Sequence, residues 1–355
     1  MRGVRYILGV LLAVQLAACS PLFVLRAGYE EAKILSRRQS IARLLEDPAV
    51  PEERRSKLEL VVQARDFAAD SLDLDAGDSY TTFSQLDSDT LALVLSAARK
   101  DAFEPHTWWF PIVGRVPYKA YFSESSARNA VESLEARGYD AYVRPTSAFS
   151  TLGWFNDPMV SPLLRYDSVS LVNTVVHEIF HNTLYLSGQA TFNESLAQFV
   201  GARGAIAFFC SARVDPALCR TAEAAWQDEL RFGAFLTELV DELEALYSRE
   251  DLESEEKIRR REGIFARATE RFENQIRPSL RVRGFGSFTQ APLNNASLIA
   301  RRIYYRDLDL FEEVYRASGE ELLVAVQRIL EAARAEPEMP FEAVGSLVRG
   351  GTGEF

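Results

Sequence analysis

The sequence predicts an α+β fold that is predominantly helical, with a small β-sheet before the helix that carries the candidate site and a helical C-terminal half. Runs rich in β-branched and aromatic residues are concentrated between Tyr80 and Phe122, as expected for short strands. From Tyr166 onward, apolar residues recur instead at helical spacing. With 355 residues and 47% hydrophobic content, the chain is long enough to bury a sizeable core.

The N-terminus is typical of a bacterial lipoprotein signal peptide. A short basic start precedes an apolar run from Tyr6 to Val14 and a group of small residues. An uncleaved membrane anchor is the alternative, but this run is shorter than the ~20 residues needed to cross a bilayer. The sequence Leu-Ala-Ala-Cys that ends at Cys19 resembles the lipobox, whose cysteine is acylated. We therefore expect removal of residues 1–18 and a lipid anchor at Cys19, and Ser20 favours the outer membrane, facing the periplasm.

Residues 19–75 are predicted to form an N-terminal helical segment. Apolar residues at helical spacing mark one helix over Ala27–Glu46 and a second over Glu52–Asp70. Pro48 and Pro51 separate the two helices and favour a turn between them. The segment is therefore expected to be a helical hairpin.

Residues 76–165 are predicted to be β-rich with one helix. Ser123 is placed to cap a helix that runs to Arg137 and stops at Gly138. Strands are expected in the runs TLALVL, TWWFPIV and VPYKAYF and, after the helix, in YDAYVRP.

Residues 166–355 are predicted to form the helical half. One helix is expected over Val169–Ser187 and a second from Thr191 to about Phe209. Long charged helices are expected across residues 217–277, where both signs of charge are interspersed.

The charge pattern argues against one class of partner. The formal net charge is −11, and the basic residues are scattered among acidic ones rather than gathered into a patch. A nucleic-acid-binding surface needs a concentration of positive charge. Nucleic acid is therefore not expected as a partner.

Two cysteines other than Cys19 lie close together in the sequence. Cys210 and Cys219 flank a segment that is expected to be a loop. In an oxidising periplasm such a pair favours a disulfide. Two reduced, partly buried thiols are the alternative, and we expect the disulfide.

The segment from His177 to His181, His-Glu-Ile-Phe-His, contains two of the three histidines of the chain. Residues four apart share one helical face, so both imidazoles can converge on a single Zn²⁺ while Glu178 reaches the open coordination position. Zinc lowers the pKa of its bound water to about 7, and Glu178 can then act as general base. The alternative is a pair of hydrogen-bonded core histidines beside a buried glutamate, but burying that carboxylate without a partner is costly.

A catalytic zinc site needs a third protein ligand. The metzincin pattern has a histidine six residues after the second one, where this chain has Ser187. Glu194, at the start of the next predicted helix, fits the gluzincin arrangement instead. Thr191 and Glu194 also fit a capping box, and under that interpretation His106 is the next candidate for the ligand.

Further site residues are expected around this motif. The tetrahedral intermediate of peptide hydrolysis needs a hydrogen-bond donor aimed at its developing charge, and Tyr305 is the candidate, with a core or surface tyrosine as the alternative. Asn193, Asp157 and Asp167 are candidates for orienting the ligands. The stretch Trp108–Phe122 is a candidate edge strand for an extended peptide substrate.

The segments that match a known family are FPIVGRVPYKAYF, FSTLGWFNDPMVSPLL, VVHEIFHNTLY, FNESLAQFVG and PLNNASL. Over nearly the whole mature chain, the sequence resembles the bacterial predicted-aminopeptidase family of H-E-x-x-H zinc metallopeptidases, gluzincin-like lipoproteins. The resemblance implies a zincin-like fold, with His177, His181 and Glu194 as zinc ligands and Glu178 as general base. The better-known gluzincins carry an acidic residue where this chain has Gln198, so ligand orientation is expected to differ.

These residues together predict a zinc metallopeptidase, an aminopeptidase in which residues 76–355 form one catalytic unit and Glu178 is the general base. The expected partners are Zn²⁺, a peptide substrate and the membrane that holds the lipid anchor. The alternative is a non-catalytic envelope lipoprotein that has a structural or relict zinc site and acts through partner binding. Retention of Glu178 favours the enzyme, because a relict site would readily lose its base.

Overall fold

The computed structural model describes Tyr29 and residues 32–88, 90, 92–110, 114–146, 157–211 and 215–349. The predicted signal peptide and Cys19 lie outside these described residues. Within these ranges, none of the helices combines the length and the apolar character needed to cross a bilayer.

The elements confirm the predicted α+β, predominantly helical fold. The helices are α1 (Ile41–Glu46), α2 (Glu52–Leu72), α3 (Glu124–Glu135), α4 (Ser168–Thr183), α5 (Ala190–Cys210), α6 (Pro216–Tyr247), α7 (Ser254–Arg271), α8 (Asn295–Tyr305), α9 (Leu308–Ala317), α10 (Leu322–Ala335) and α11 (Pro340–Arg349). The strands are β1 (Gln39–Ser40), β2 (Thr82–Ser84), β3 (Ala92–Arg99), β4 (Trp108–Phe110), β5 (Gly114–Val116), β6 (Tyr118–Tyr121), β7 (Tyr139–Thr146) and β8 (Met159–Val160).

The first predicted helix, Ala27–Glu46, is interrupted in the structure. The two-residue strand β1 pairs antiparallel with β2, with Ser40 opposite Thr82. Helix α1 starts only after this strand, where the Ser40 hydroxyl accepts a hydrogen bond from the backbone N–H of Arg43. Serine favours this N-cap position over a helix interior because its side chain satisfies a backbone donor at the helix start. The long-range pairing with β2 therefore overrides the helical periodicity of the segment.

The main sheet has three antiparallel strands in the order β6-β3-β7. One face includes Leu95 and packs on Leu134 of α3. The opposite face includes Ala98, which packs on Ala296 and Ile299 of α8. Because side chains alternate along a strand, the two faces of this sheet have separate roles, and the second face is directed toward the helical half.

A buried ion pair ties the sheet to the helical half. The carboxylate oxygens of Asp140 on β7 accept hydrogen bonds from the Arg261 guanidinium on α7 at 2.7 and 3.0 Å. One of these oxygens also accepts a hydrogen bond from the backbone N–H of Asn295, the first residue of α8, at 3.1 Å. A single carboxylate thus holds α8 in place relative to β7.

Helices α4 and α5 pack closely at the centre of the molecule. Val175 on α4 and Leu196 on α5 are both fully buried in the main core. A Cβ atom added at Gly201 would lie 2.5 Å from the side-chain oxygen of Asn173 and 3.1 Å from the Cβ of His177. The close approach of the two helices therefore requires a residue without a side chain at Gly201.

Candidate active site

Helix α4 brings the two histidines of the motif to one buried face. Its N-cap is Asp167, whose side chain accepts a hydrogen bond from the backbone N–H of Ser170 at 2.8 Å. Asp167 is therefore a helix cap, although the sequence suggested it as an orienting residue for the ligands. One turn apart near the end of α4, His177 and His181 are 8% and 5% exposed.

Helix α5 presents Glu194 to these histidines. The helix begins at Ala190, and its N-cap, Gln189, makes no side-chain capping bond. The alternative interpretation, a capping box from Thr191 to Glu194, does not hold, because Thr191 already lies inside the helix. Instead, one carboxylate oxygen of Glu194 lies 3.5 Å from Nε2 of His177 and 3.7 Å from Nε2 of His181.

The three side chains form a group that can hold a metal ion. The Nε2 atoms of His177 and His181 are 3.3 Å apart, and the Glu194 oxygen is at 3.5 and 3.7 Å from them. For a tetrahedral zinc site with bonds of ~2.0–2.1 Å, neighbouring ligand atoms should be roughly 3.3 Å apart. The donor set and its spacing therefore fit three corners of a zinc site and leave a fourth corner for water or substrate.

The ionisable groups of the site shift one another's pKa values. Burial opposes ionisation of Glu194, but the adjacent His181 and the hydrogen bonds from both histidines hold the pKa of Glu194 well below its usual range. Burial likewise opposes protonation of His181, yet the negative charge of Glu194 raises the pKa of this histidine. Burial raises the pKa of Glu178 against the opposing effect of the two histidines. The cluster is thus organised around a carboxylate that stays ionised.

Asn193 positions the loop between α4 and α5. Its side-chain oxygen accepts a hydrogen bond from the backbone N–H of Leu186 at 3.0 Å, and its amide donates to the Leu186 carbonyl at 2.8 Å. This pair of bonds holds the loop against the start of α5. Asn193 therefore acts on the geometry of Glu194 through the backbone.

Of the three residues that the sequence suggested for orienting the ligands, Asp157 is the one whose charge acts on both Glu178 and His181. Asp157 is buried, and its charge raises the pKa values of both Glu178 and His181 after larger effects. The Nδ1 atom of His181 is buried without a hydrogen-bond partner among the described residues. Gln198, at the position where better-known gluzincins carry an acid, donates instead to Glu229 at 2.6 Å.

The structure brings Tyr304, and not Tyr305, close to the histidines. The ring centroid of Tyr304 lies 6.3 Å from that of His177. The ring of Tyr305 packs instead on Phe232 and Phe285, with centroids 5.2 and 5.9 Å away. Burial raises the pKa of Tyr304 far above its ordinary value, so its phenol remains a proton donor at neutral pH.

The sequence did not point to Arg144, Tyr118 or Tyr185 as site residues. The guanidinium of Arg144 on β7 donates a hydrogen bond to the Tyr304 hydroxyl at 2.8 Å. Burial, with a further effect of the charge of Glu194, raises the pKa of Tyr185 to about 12 and that of Tyr118 well above its usual value. Three tyrosines and one arginine thus surround the Glu194 side of the cluster. No local sequence pattern marks them, because they come from two strands, one helix and the loop between α4 and α5.

Three other residues that the sequence singled out lie outside this group. The His106 ring packs edge-on against Trp108 and Tyr139, with centroids 4.7 and 5.3 Å away, and burial lowers the pKa of His106. It is not among the residues of the ligand group. Cys210 and Cys219 form a disulfide in the structure, with Cα atoms 4.8 Å apart, at the end of α5 remote from Glu194.

These features define a predominantly helical α+β protein in which two packed helices carry a buried His–His–Glu group able to hold a metal ion. The chain belongs to the family described as "Putative aminopeptidase", whose model matches residues 22–341. Comparisons with curated proteins and with solved structures gave no match. The family supports a peptidase function in general terms.

Proposed function

We propose that the protein is a zinc-dependent peptidase, and more narrowly an aminopeptidase. The observation that carries the proposal is the convergence of His177, His181 and Glu194 on one point, with Glu178 directly after the first histidine. Two imidazoles and one carboxylate are a donor set that catalytic zinc uses. Membership of a peptidase family makes amide hydrolysis the reaction that best fits this donor set.

Glu178 is proposed as the general base. Bound zinc would polarise the carbonyl of the scissile bond and lower the pKa of a water molecule to about 7. Glu178 takes the proton from the attacking water and passes it to the leaving amine. In the metal-free protein, burial raises the pKa of Glu178, and a general base works best when its pKa approaches the operating pH.

Tyr304 is proposed as the donor that stabilises the oxyanion, in place of the Tyr305 expected from sequence. Its ring lies beside His177, and the hydrogen bond from Arg144 leaves its own hydroxyl proton available for donation. Strand β6, at an edge of its sheet, is proposed to hold an extended substrate by backbone pairing. Tyr118 on β6 faces the charge of Glu194, so a peptide on this strand would pass the ligand group.

The decisive experiment substitutes the base. We expect Glu178→Gln to retain zinc and to hydrolyse peptides at least ~100-fold more slowly than wild type, in line with typical general-base contributions. Metal analysis and mass spectrometry of a peptide library measure both quantities and show whether cuts are terminal. Glu313→Gln, at an exposed glutamate on α9, is the matched control and should behave as wild type.

The possible outcomes separate the two functions. Retained activity or lost zinc in Glu178→Gln would contradict the role of this residue. If zinc-loaded wild type cleaves no peptide of the library, the non-catalytic lipoprotein becomes the better account.

A further inference from the structure

Arg144 lies on the side of the sheet that is directed toward the helical half. In the register of the sheet, Arg144 is opposite Val94, and Tyr118 is opposite Ser96. Because side chains alternate along a strand, these residues share the face of Ala98, which packs on α8. Arg144 and Tyr118 therefore reach toward the ligand group from the two edge strands of one sheet.

Within the described part of the chain, the guanidinium of Arg144 uses only some of its hydrogen-bond donors. An arginine offers five N–H donors, and Arg144 makes one hydrogen bond, to Tyr304 at 2.8 Å, among the described residues. No carboxylate forms an ion pair with Arg144 within these residues. The charge of Glu194 acts on Arg144, but the Glu194 carboxylate lies against the two histidines.

Among the residues that the structure describes, Arg144 has no acidic partner, whereas Arg261, which also links the sheet to the helical half, has one. Arg261 meets both oxygens of Asp140, as a desolvated guanidinium is expected to do. Arg144 is half-buried. Its guanidinium donates a hydrogen bond to the hydroxyl of Tyr304 and lies over the ring of the same tyrosine. Because the Arg144 guanidinium lies beside the proposed active site, it can pair with a negatively charged group of the substrate.

We propose that Arg144 binds a carboxylate of the peptide substrate. This proposal rests on the proposed peptidase function, because it identifies the substrate class of the same site. Arginine and carboxylate are matched in shape and charge, and two parallel hydrogen bonds can form between them. The carboxylate can belong to the C-terminus of a short peptide or to an acidic side chain near the scissile bond.

The competing explanation is that Arg144 only holds the Tyr304 hydroxyl in place. Under that explanation, substitution of Arg144 lowers the rate of hydrolysis by the same factor for every substrate. Under our proposal, the rate falls more for a substrate that has the carboxylate than for the matching neutral substrate. The ratio of the two rates therefore separates recognition from positioning.

The kinetic test compares Ala-Ala-Ala with its C-terminal amide, and the amides of Ala-Glu-Ala and Ala-Gln-Ala with each other. We expect zinc-loaded wild type to prefer the carboxylate in one of these pairs by roughly 10- to 100-fold in kcat/KM, the usual strength of a charged hydrogen bond. A preference in the first pair assigns the C-terminus, and one in the second pair assigns a side chain. Arg144→Gln and Arg144→Lys should reduce that preference, with Arg144→Gln bringing it close to unity.

The matched control is Arg137→Gln. Arg137 also lies over a tyrosine ring, that of Tyr139 at the start of β7, but Arg137 is exposed and precedes the strand. The Arg137→Gln substitution should leave the rates for both members of each substrate pair, and therefore their ratio, unchanged. Wild type without a preference in either pair, or Arg144→Gln that lowers both members of a pair equally, would overturn the proposal.

A binding measurement keeps this proposal separate from the proposed function. Calorimetry can measure the affinity of the Glu178→Gln protein for each of the four peptides: Ala-Ala-Ala, its C-terminal amide, and the amides of Ala-Glu-Ala and Ala-Gln-Ala. This measurement does not require hydrolysis. We expect the carboxylate-bearing peptide to bind more tightly, and the difference to vanish when Arg144→Gln is added to that variant. Carboxylate-dependent binding without hydrolysis by wild type would sink the peptidase assignment alone, and equal binding of acid and neutral peptides would sink the role of Arg144.

Discussion

Glu194 decides whether the two histidines form a metal site or an ordinary pair. Two imidazoles with Nε2 atoms 3.3 Å apart can also be explained by a hydrogen bond between them. That explanation does not require a carboxylate within 3.7 Å of both rings. Glu194→Gln keeps the shape of the side chain and removes the charge, so it tests the metal site directly.

We predict that Glu194→Gln weakens zinc binding by more than the roughly 10- to 100-fold that changes beyond the ligands themselves typically cause. A neutral amide is a poor substitute for a carboxylate on zinc. Zinc titration of the metal-free proteins provides the measurement. Glu229→Gln, at a buried glutamate on α6 outside the ligand group, is the control, and its zinc affinity should stay near that of wild type. Unchanged affinity in Glu194→Gln would remove this residue from the ligand set.

Tyr304 and Tyr305 are adjacent on α8, so their substitutions form a matched pair that tests which hydroxyl stabilises the oxyanion. We predict that Tyr304→Phe lowers kcat by about 100- to 1000-fold, the usual cost of losing one oxyanion donor, with a small effect on KM. Tyr305→Phe removes the same hydroxyl from a ring that packs on Phe232, and its kcat should stay near that of wild type. Steady-state kinetics of both variants is the measurement, and the reverse order of effects would return the role to Tyr305.

Part of the site could be predicted from sequence because its geometry is local. The four-residue spacing of His177 and His181 places both on one helical face in any context. The choice between Tyr304 and Tyr305 is not local, since consecutive residues differ by about 100° around a helix. Which one faces α4 depends on how α8 packs against the sheet. Arg144 has no local signal either, because its role depends on which strand is its neighbour.

At the scale of elements, the contact between α4 and α5 sets the spacing of the ligands. Gly201 on α5 faces Asn173 and His177 on α4. An added methyl group would meet the side-chain oxygen of Asn173 at 2.5 Å and its backbone carbonyl oxygen at 2.8 Å. The backbone carbonyl cannot move unless α4 shifts, and α4 carries two of the three ligands.

We predict that Gly201→Ala destabilises the metal-free protein by about 1–3 kcal/mol, the typical cost of overpacking a core, and also weakens zinc binding. Gly263→Ala is the control, because Gly263 lies on the exposed face of α7 and its nearest contact is a flexible arginine tip at 3.6 Å. There, alanine should stabilise the helix by ~0.5–1 kcal/mol. Chemical denaturation and zinc titration measure both effects, and a Gly201→Ala protein as stable as wild type would contradict the close packing.

The starts of helices could be predicted because each helix has its own apolar periodicity and its own start signals, whereas the helix predicted to run to Ser187 ends at Thr183. The helix predicted to start at Thr191 begins at Ala190, and Ser123 caps α3 as expected. The segment Ala27–Glu46 was different. Its helical pattern is real on the local scale, but strand β1 gains hydrogen bonds from β2, which lies far along the chain. Such pairing is invisible to any window of local sequence.

At the scale of the whole molecule, the candidate site is assembled from three regions of the chain. Helices α4 and α5 supply the ligand group, the sheet supplies Arg144 and Tyr118, and α8 supplies Tyr304. The fold class could be predicted because periodicity is a property of segments. The order β6-β3-β7 and the link from Asp140 to α8 depend on contacts between distant residues. For that reason the sequence identified the motif and missed the residues that surround it.

Location in the cell is a property of the whole molecule, and we propose that a lipid on Cys19 holds the peptidase at the outer membrane. We predict that Cys19→Ala accumulates as an unprocessed precursor that takes up no radiolabelled fatty acid, because the acylated thiol is gone. Cys210→Ala is the control, since it removes a different cysteine, and it should be labelled and processed as wild type is. Labelling of the protein, followed by membrane fractionation, makes the comparison. Label on Cys19→Ala would contradict the lipid anchor, and equal zinc content of both variants would show that anchoring and metal binding are independent.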